Sequence, residues 1–294
     1  MKESMFSGVC TALVTPFLNG KVNYPMMEQL LRKQISAGVS AVVLAGTTGE
    51  ASTLSDNEKI ELFHRGKQYV GDSCAIIAGT GSNSTQHAIH LSVAAQQVGA
   101  DALLVVTPYY NKATPDGLYS HYLSIAQSVD LPIILYNVPT RTGVDIPLSV
   151  YERLSKIPNI IGVKEACSDI TKITKILATC PNFRVWSGND DMIVPTIALG
   201  GCGVISVLSN IYPEETVAMT NAARNGDFKT AAEMQRHLQP LVELLFCEVN
   251  PIPVKTAMKL LGYDCGGCRL PLTELSNINQ KRLEAYLCKS APVI

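Results

Sequence analysis

The chain has 294 residues, of which 47% are hydrophobic and 17% are charged, and its formal net charge is -1. A chain of this length and apolar content can form one large domain or two ordinary ones with an ample core. A net charge this close to zero gives no electrostatic case for binding nucleic acid or an anionic membrane, so small molecules are the favoured ligands.

Eight short apolar runs rich in Val, Ile, Leu or Ala alternate with segments of helical periodicity. The runs predict strands at residues 8–14, 41–46, 75–80, 102–107, 132–137, 160–165, 183–188 and 203–207. The segments that follow the first seven runs predict helices at residues 24–37, 56–70, 85–98, 117–129, 147–156, 171–180 and 190–199. The order of elements is therefore a repeated strand and helix.

The spacing of these runs predicts the architecture. Successive strands begin 20 to 34 residues apart, which is the spacing of βα units. Continuous rather than alternating hydrophobicity is typical of a parallel sheet that is covered on both faces. Eight such units favour a closed (β/α)8 TIM barrel, for which about 250 residues are typical. An open doubly wound sheet is the alternative.

The pattern changes after the eighth strand. Segments 213–226, 230–246, 253–261 and 273–287 are helical in character, and one of them must be the eighth barrel helix. No Pro/Gly/Ser linker separates the rest from the barrel. We therefore expect a (β/α)8 barrel over residues 1–225 and a C-terminal helical extension over residues 226–294 that packs on the barrel.

The compartment and the cysteines also lead to expectations. The first six residues do not combine a basic region with an apolar stretch, and no run approaches the roughly 18–20 apolar residues of a membrane span. Nine cysteines, an odd number, suit the reducing cytoplasm. The one close pair, Cys265 and Cys268, lacks a second pair of zinc ligands at suitable spacing, so we expect a Gly-rich loop with two incidental thiols.

One charged residue ends a predicted buried strand. Lys164 follows the apolar residues 160–163, and burying an ammonium is costly. Burial favours the neutral amine, which is a nucleophile. The alternative is that Lys164 emerges into a solvated loop, where it could pair with Glu165.

Polar residues follow the other predicted strands, and in a (β/α)8 barrel these strand ends converge on the active site. Gly46-Thr-Thr-Gly-Glu50 can direct backbone N–H groups and hydroxyls at a carboxylate or phosphate, or it is an ordinary turn with N-capping threonines. Tyr110 and Tyr136 can exchange protons with an amine nucleophile, or they complete the core. Arg141 suits bidentate capture of a carboxylate, or it is a solvated charge. Gly79-Thr-Gly81 resembles the start of a dinucleotide fingerprint but lacks its third glycine.

Taken in order, these motifs resemble the dihydrodipicolinate synthase family of class I pyruvate aldolases, which includes N-acetylneuraminate lyase. The resemblance runs from Gly8 to Thr273 and rests on four motifs: Gly46-Thr-Thr-Gly-Glu50, Thr107-Pro-Tyr-Tyr-Asn111, Tyr136-Asn-Val-Pro139 and Gly162-Val-Lys-Glu-Ala166. It implies condensation of pyruvate with L-aspartate 4-semialdehyde to 4-hydroxy-2,3,4,5-tetrahydrodipicolinate, on the route to diaminopimelate and lysine. It implies no metal and no organic cofactor.

The resemblance also implies roles for individual residues. Lys164 would form a Schiff base with pyruvate, and Tyr136 would act as general acid and base. Thr47 and Tyr110 would complete a proton relay, with Tyr110 entering the site of a neighbouring subunit. A homo-oligomer, most simply a tetramer built as a dimer of dimers, follows from that shared site.

Further residues would bind the substrates. Thr48, together with Thr47, would hold the pyruvate carboxylate, while Gly188 and Ile205 would line the pocket. Arg141 would bind the carboxylate of aspartate semialdehyde. Sialic acid lyases commonly have Gly-Ser-Thr-Gly-Glu where this chain has Gly-Thr-Thr-Gly-Glu, so both Arg141 and Thr47 favour the synthase. The alternatives are a lyase for N-acetylneuraminate or a 2-keto-3-deoxy sugar acid and, in another class, a non-catalytic barrel that binds keto acids.

One departure from the family concerns feedback inhibition by lysine. Many bacterial and plant synthases bind lysine at the dimer interface, through a His, a second His or an acid, and a Glu. The matching segments here contain Asp56, Lys59 and His87 instead, although Asn83 and Tyr109 fit the pattern. Because a cation at Lys59 would repel the ammonium of lysine, we expect weak inhibition or none.

Overall fold

The centre of the computed structural model, which describes residues 6–289, is a closed barrel of eight parallel strands. The strands are β1 (Gly8–Ala12), β2 (Ala41–Leu44), β3 (Ala75–Gly79), β4 (Ala102–Val106), β5 (Ile133–Asn137), β6 (Ile160–Glu165), β7 (Arg184–Ser187) and β8 (Gly203–Ser206). Each strand pairs with its neighbour in the chain, and β8 pairs with β1 through Gly203 and Gly8. The predicted (β/α)8 TIM barrel is confirmed, and the alternative of an open sheet is wrong.

At least one helix follows each strand and covers the outside of the barrel. The barrel helices are α1 (Tyr24–Ser36), α2 (Asp56–Val70), α3 (Thr85–Gln97), α4 (Pro115–Ser128), α5 (Pro139–Thr142), α6 (Leu148–Leu154), α7 (Ile170–Thr179), α8 (Ile193–Ala198) and α9 (Pro213–Arg224). Helix α9 packs against β1 and β8, which makes it the eighth barrel helix. Within residues 6–289, no helix is both long enough and apolar enough to cross a membrane.

Three helices follow the barrel: α10 (Phe228–Leu245), α11 (Ile252–Leu260) and α12 (Asn277–Leu287). Helix α10 packs on α8 and α9, and both α11 and α12 pack on α10. One continuous hydrophobic core contains residues from the barrel, such as Val9, and from the extension, such as Leu283. The division at residues 225 and 226 stays a prediction, and its outer limits, residues 1 and 294, lie outside the described residues.

The barrel strands are buried on both faces, which explains their continuous apolar sequences. Every residue of β1, β2, β5, β6 and β8 is buried. Outward side chains pack under the helices, while the inward ones form a second, smaller core inside the barrel. That inner core consists of Phe6, Cys10, Ala12, Ala41, Val43, Ile77, Ala102, Leu104, Ile134, Tyr136, Val138, Ile161, Ala166, Trp186 and Ile205.

Two short elements differ from the sequence-based expectation. Residues 17–18 pair with residues 21–22 in an antiparallel hairpin, whose turn residues Asn19 and Gly20 have φ of 51° and 75°. Asn-Gly is a strong signal for such a turn, and it was available in the sequence. Residues 139–142 form one helical turn, α5, where a loop was expected; it begins with Pro139 and ends at Gly143 with φ of 68°. The other helices and strands differ from the predicted bounds only at their ends.

We predict that Gly162→Ala destabilises the barrel. A Cβ at this position in β6 would lie 2.2 Å from the carbonyl oxygen of Arg184 and 2.8 Å from the Trp186 ring. Because a backbone carbonyl on a neighbouring strand cannot move aside, the free energy of unfolding should fall by about 1–3 kcal/mol or more. Urea denaturation measures the change. Gly267→Ala, where a Cβ meets nothing within 4 Å, is the control and should leave the midpoint unchanged. Equal midpoints for the two variants would contradict the prediction.

Candidate active site

Lys164 lies on the inner face of the barrel, near the C-terminal end of β6. It is in register with Tyr136 of β5 and Trp186 of β7, so these three side chains share one face of the sheet. The lysine is only 5% exposed, and within residues 6–289 no hydrogen bond or ion pair engages its amine. Glu165, the next residue, faces the opposite side of the strand. Lys164 therefore neither emerges into a solvated loop nor pairs with Glu165.

Tyr136 is the closest functional neighbour of this amine. The Lys164 Nζ atom lies 4.5 Å from the centre of the Tyr136 ring, and the tyrosine is 6% exposed. Below them in the barrel lies Cys10, whose thiol pKa is raised well above its usual value by burial, although the charge of Lys164 opposes that rise. The structure thus places an amine and a phenol together in surroundings that are mostly apolar.

A cavity of about 470 Å³ opens at the C-terminal mouth of the barrel. Thr47, Tyr136 and Arg141 line it, so the structure brings these three candidate residues together. Lys164 is not part of the lining itself, but it adjoins the cavity through its contact with Tyr136. The Lys164 amine thus lies 4.5 Å from the ring centre of a residue that lines the cavity.

The loop after β2 supplies the two threonines. Two residues that flank it, Ala45 and Glu50, have φ of 51° and 57°, a conformation that is unfavourable for residues other than glycine. Thr47 is half-buried at the cavity, whereas Thr48 is buried, and its hydroxyl accepts a hydrogen bond from Asn250 Nδ2 at 2.9 Å. Strained backbone that persists in a packed environment is common at functional sites.

Arg141 lies on the single turn α5 and its side chain is exposed at the cavity. Within residues 6–289, its guanidinium takes part in no hydrogen bond or ion pair. The five N–H donors of this group are therefore available for a ligand, and their planar arrangement matches a carboxylate.

Thr48 does not line the cavity, and neither do three other candidate residues. Tyr110 is 90% exposed, has φ of 75° and lies outside the lining of the cavity that contains Tyr136. Gly188 donates its backbone N–H to the carbonyl of Glu165 at 2.7 Å and has no room for a Cβ beside Ala166. Ile205 is fully buried in the inner core.

Comparisons with known proteins place this arrangement in a family. Residues 5–290 match the Dihydrodipicolinate synthetase family. A relative from Thermoanaerobacter sp. (strain X514), named 4-hydroxy-tetrahydrodipicolinate synthase, is 47% identical over 287 residues, which are 97% of this chain and 97% of the relative. This chain belongs to the dihydrodipicolinate synthetase family. The family expected from the sequence motifs is confirmed.

Solved structures agree with this membership. Dihydrodipicolinate synthase from Aquifex aeolicus is similar at a TM-score of 0.95 and 42% identity, over 97% of this chain and 98% of that one. The chloride-inhibited dihydrodipicolinate synthase from Acinetobacter baumannii, solved in complex with pyruvate, is similar at the same TM-score, identity and coverage. The barrel and its C-terminal helices are thus a shared feature of these synthetase-family structures.

The sequence motifs did not reveal a hydrogen-bond network behind β6. The Glu165 carboxylate is 1% exposed and accepts hydrogen bonds from Asn137 Nδ2 at 2.7 Å, from the Tyr151 hydroxyl at 2.9 Å and from the backbone N–H of Cys167 at 3.0 Å. Burial, and then the charge of Glu165, raise the pKa of the Tyr151 phenol well above its usual value. These bonds fix the end of the strand that carries Lys164.

A second feature of the site is Gly79-Thr-Gly81, whose two glycines line the cavity. A Cβ on Gly79 would lie 2.2 Å from the carbonyl oxygen of Ala45, and one on Gly81 would lie 2.4 Å from the backbone nitrogen of Val106. The two glycines let neighbouring strand ends approach closely. Their role is steric and has no relation to dinucleotide binding.

We predict that Tyr151→Phe destabilises the protein by about 1–3 kcal/mol, because it leaves one oxygen of a buried carboxylate without its hydroxyl donor. Tyr122→Phe is a matched control: that phenol is also fully buried, but its hydroxyl makes only a long bond of 3.4 Å to a carbonyl. Thermal unfolding of the two variants should show the larger loss for Tyr151→Phe. Equal losses would contradict a special role for the Glu165 network.

Proposed function

We propose that this chain condenses pyruvate with L-aspartate 4-semialdehyde to form 4-hydroxy-2,3,4,5-tetrahydrodipicolinate, on the route to diaminopimelate and lysine. The observation that carries the proposal is the buried, unpaired amine of Lys164 beside the Tyr136 phenol. The name of the Thermoanaerobacter relative and the pyruvate complex of the Acinetobacter protein support the choice of reaction and of first substrate.

The chemistry begins with Lys164. Its neutral amine attacks the ketone carbon of pyruvate, the nitrogen loses one proton, and the carbonyl oxygen gains one to become a hydroxyl. Tyr136 donates a second proton as that hydroxyl leaves as water, which gives a protonated imine. Loss of a methyl proton then forms an enamine, with the imine as the electron sink. No metal or organic cofactor is needed for these steps.

The enamine carbon then adds to the aldehyde of aspartate semialdehyde, and the aldehyde oxygen takes up a proton. The amine of the second substrate attacks the imine carbon, closes the ring and releases Lys164. Thr47 and Tyr110 are proposed to pass protons to and from Tyr136 during these steps. The distance of 4.5 Å from the amine to the Tyr136 ring centre supports this tyrosine as the acid and base of these steps.

The substrate carboxylates need separate binding groups. We assign the pyruvate carboxylate to Thr47 and Thr48 and the carboxylate of the semialdehyde to Arg141, whose guanidinium is exposed at the cavity. Gly188 and Ile205 are proposed to border the bound pyruvate. Arg141 also favours the synthase over a lyase for N-acetylneuraminate or a 2-keto-3-deoxy sugar acid, because a polyhydroxylated chain has no carboxylate for it.

The active form is proposed to be a cytoplasmic homotetramer, a dimer of dimers. Tyr110 is 90% exposed on a backbone of φ 75°, and a side chain held outward in this way supports a role in the site of a second copy. A non-catalytic keto-acid binder is the candidate from another class. It would need only a carboxylate clamp, so the buried Lys164 and Tyr136 argue against it.

We predict that incubation with pyruvate and borohydride fixes pyruvate on Lys164, detected as an adduct by mass spectrometry of the intact chain and its peptides. Reduction makes the imine permanent, so one pyruvate should be retained per chain. Lys164→Arg should retain none, and Lys156→Arg, which changes a lysine outside the barrel interior, should behave as the wild type does.

Turnover assays with the two aldehyde classes complete this test. The wild-type chain should consume aspartate semialdehyde and should not cleave N-acetylneuraminate. The absence of an adduct would end the Schiff-base mechanism, and an adduct with turnover of the sugar acid alone would move the assignment to the lyase. An adduct without turnover of either compound would favour the binder.

We also propose that lysine inhibits this enzyme weakly or not at all. Lys59 lines the same cavity, is 8% exposed and has no hydrogen bond or ion pair within residues 6–289. Burial lowers its pKa, while the nearby Asp56 opposes that change. His87 Nε2 lies 2.9 Å from an Asp56 carboxylate oxygen, so the one acid in this group already has a partner.

Initial rates measured with millimolar lysine should therefore match those without it, because an ammonium would meet the Lys59 charge in a confined cavity. Arginine at the same concentration controls for ionic strength and added positive charge. Marked slowing by lysine alone would refute the proposal.

A further inference from the structure

A buried ion pair joins the loop after β2 to the C-terminal extension. Lys255 Nζ lies 2.7 Å from Glu50 Oε1, and the two side chains are 3% and 1% exposed. The residues are 205 positions apart in the chain. The proposed chemistry uses neither of them. We call residues 250–269, which contain Lys255, the C-terminal strap.

The strap satisfies both oxygens of the Glu50 carboxylate. Lys255 Nζ donates to Oε1, and the backbone N–H of Arg269 donates to Oε2 at 2.8 Å. Lys255 Nζ also donates to the carbonyl of Gly267 at 3.0 Å, so its own charge is well coordinated. Because Glu50 has φ of 57°, its backbone conformation is maintained only by such surrounding contacts.

The strap is itself held at the hairpin that follows β1. The Phe17 N–H donates to the carbonyl of Cys265 at 2.8 Å. The Phe17 ring lies 4.4 Å from Lys255 Nζ and 4.3 Å from the Arg269 guanidinium carbon. Arg269 continues to the start of α2, where it forms two hydrogen bonds with the Glu58 carboxylate. These contacts with the hairpin and with α2 fix the position of the strap relative to the loop.

Asn250, at the beginning of the strap, contacts the loop at Thr48. Its Nδ2 donates to the Thr48 hydroxyl at 2.9 Å, and the two residues are 5% and 2% exposed. A hydroxyl has one proton to donate and accepts through its lone pairs. The hydroxyl that accepts from Asn250 still has its own proton to donate, and within residues 6–289 no hydrogen bond uses it; the buried Asn250 Oδ1 also has no hydrogen-bond partner there.

We propose that the C-terminal strap positions the keto-acid carboxylate, with Asn250 setting the direction in which the Thr48 hydroxyl donates and the Lys255–Glu50 pair fixing the loop. The inference deepens the proposed function and rests on it, because Thr48 is assigned there to the carboxylate of pyruvate. Asn250, Lys255 and Arg269 are positioning residues, since they act through the loop and need not touch the substrate. The C-terminal extension is then part of the site.

Asn250→Asp is the sharpest test, because it keeps the size of the side chain and reverses the hydrogen bond. A carboxylate cannot donate, so it accepts a hydrogen bond from the Thr48 hydroxyl and turns that donor away from the substrate. The KM for pyruvate should rise about 10- to 100-fold, as expected for losing a hydrogen bond to a charged group. The kcat should change much less, because the bond is made in the ground state and the transition state alike.

The exposed Asn225, changed to Asp, is the matched control, since it adds the same negative charge far from the loop. Asn225→Asp should leave both the KM for pyruvate and the kcat unchanged. The effect of Asn250→Asp should also shrink in a Thr48→Val background, where there is no hydroxyl to redirect. If Asn250 had a purely structural role, Asn250→Asp would lower the unfolding midpoint, and its effect on the KM for pyruvate would not depend on the Thr48 hydroxyl.

The ion pair is tested by Lys255→Met, Glu50→Gln and the double variant. Each single change should raise the KM for pyruvate, and the double variant should recover most of the unfolding midpoint but not the KM, because a neutral pair packs without holding the loop in place. Full recovery of the KM in the double variant would overturn this part of the proposal.

Failure of this inference is distinguishable from failure of the proposed function. If wild-type chain forms the borohydride-trapped adduct at Lys164 and Asn250→Asp has an unchanged KM for pyruvate, the strap proposal falls and the Schiff-base mechanism stands. If the wild type forms no adduct, the proposed function is wrong. In that case the strap is judged by direct binding of pyruvate to the wild type and Asn250→Asp, and equal affinities would overturn it.

Discussion

The alternation of side chains along β6 is the constraint on which the site depends. In a strand, neighbouring residues face opposite sides, so Lys164 must face the interior of the barrel if Glu165 faces the helices. The two buried charges are then stabilised in different ways. Glu165 accepts three hydrogen bonds and lies 3.8 Å from the Lys172 amine, whereas Lys164 has no ion-pair partner among residues 6–289 and lies against an aromatic ring. A shift of one residue would exchange these environments and abolish both.

The barrel could be predicted because each strand is buried on both faces. Burial of this kind produces continuous apolar runs, and their regular spacing indicates parallel βα units. The ends of elements were less certain, because they depend on caps and turns that periodicity does not detect. The hairpin at Asn19-Gly20 was missed although its turn signal was present, since its strands are only two residues long. Helix α5 was missed for a similar reason, because a single turn is too short to show helical periodicity in the sequence.

The candidate site could be predicted only in part. Lys164 was identifiable because a charge at the end of an apolar run is unusual, and Thr47 and Tyr136 because they follow strands of the same barrel. The bond from Asn250 to Thr48 and the pair of Lys255 and Glu50 join residues 202 and 205 positions apart. No local pattern connects such positions. The role proposed for Tyr110 in the site of a neighbouring copy could not be predicted from periodicity either, because periodicity describes a single chain.

The long separation between Glu50 and Lys255 has a consequence for synthesis of the chain. The barrel has all its strands once residue 206 has been made, but the carboxylate of Glu50 still lacks both of its partners. Those partners leave the ribosome only with residues 255 and 269. The loop that carries the two threonines therefore acquires its buried partners only with nearly the last part of the polypeptide, long after the strands on either side of it have been made.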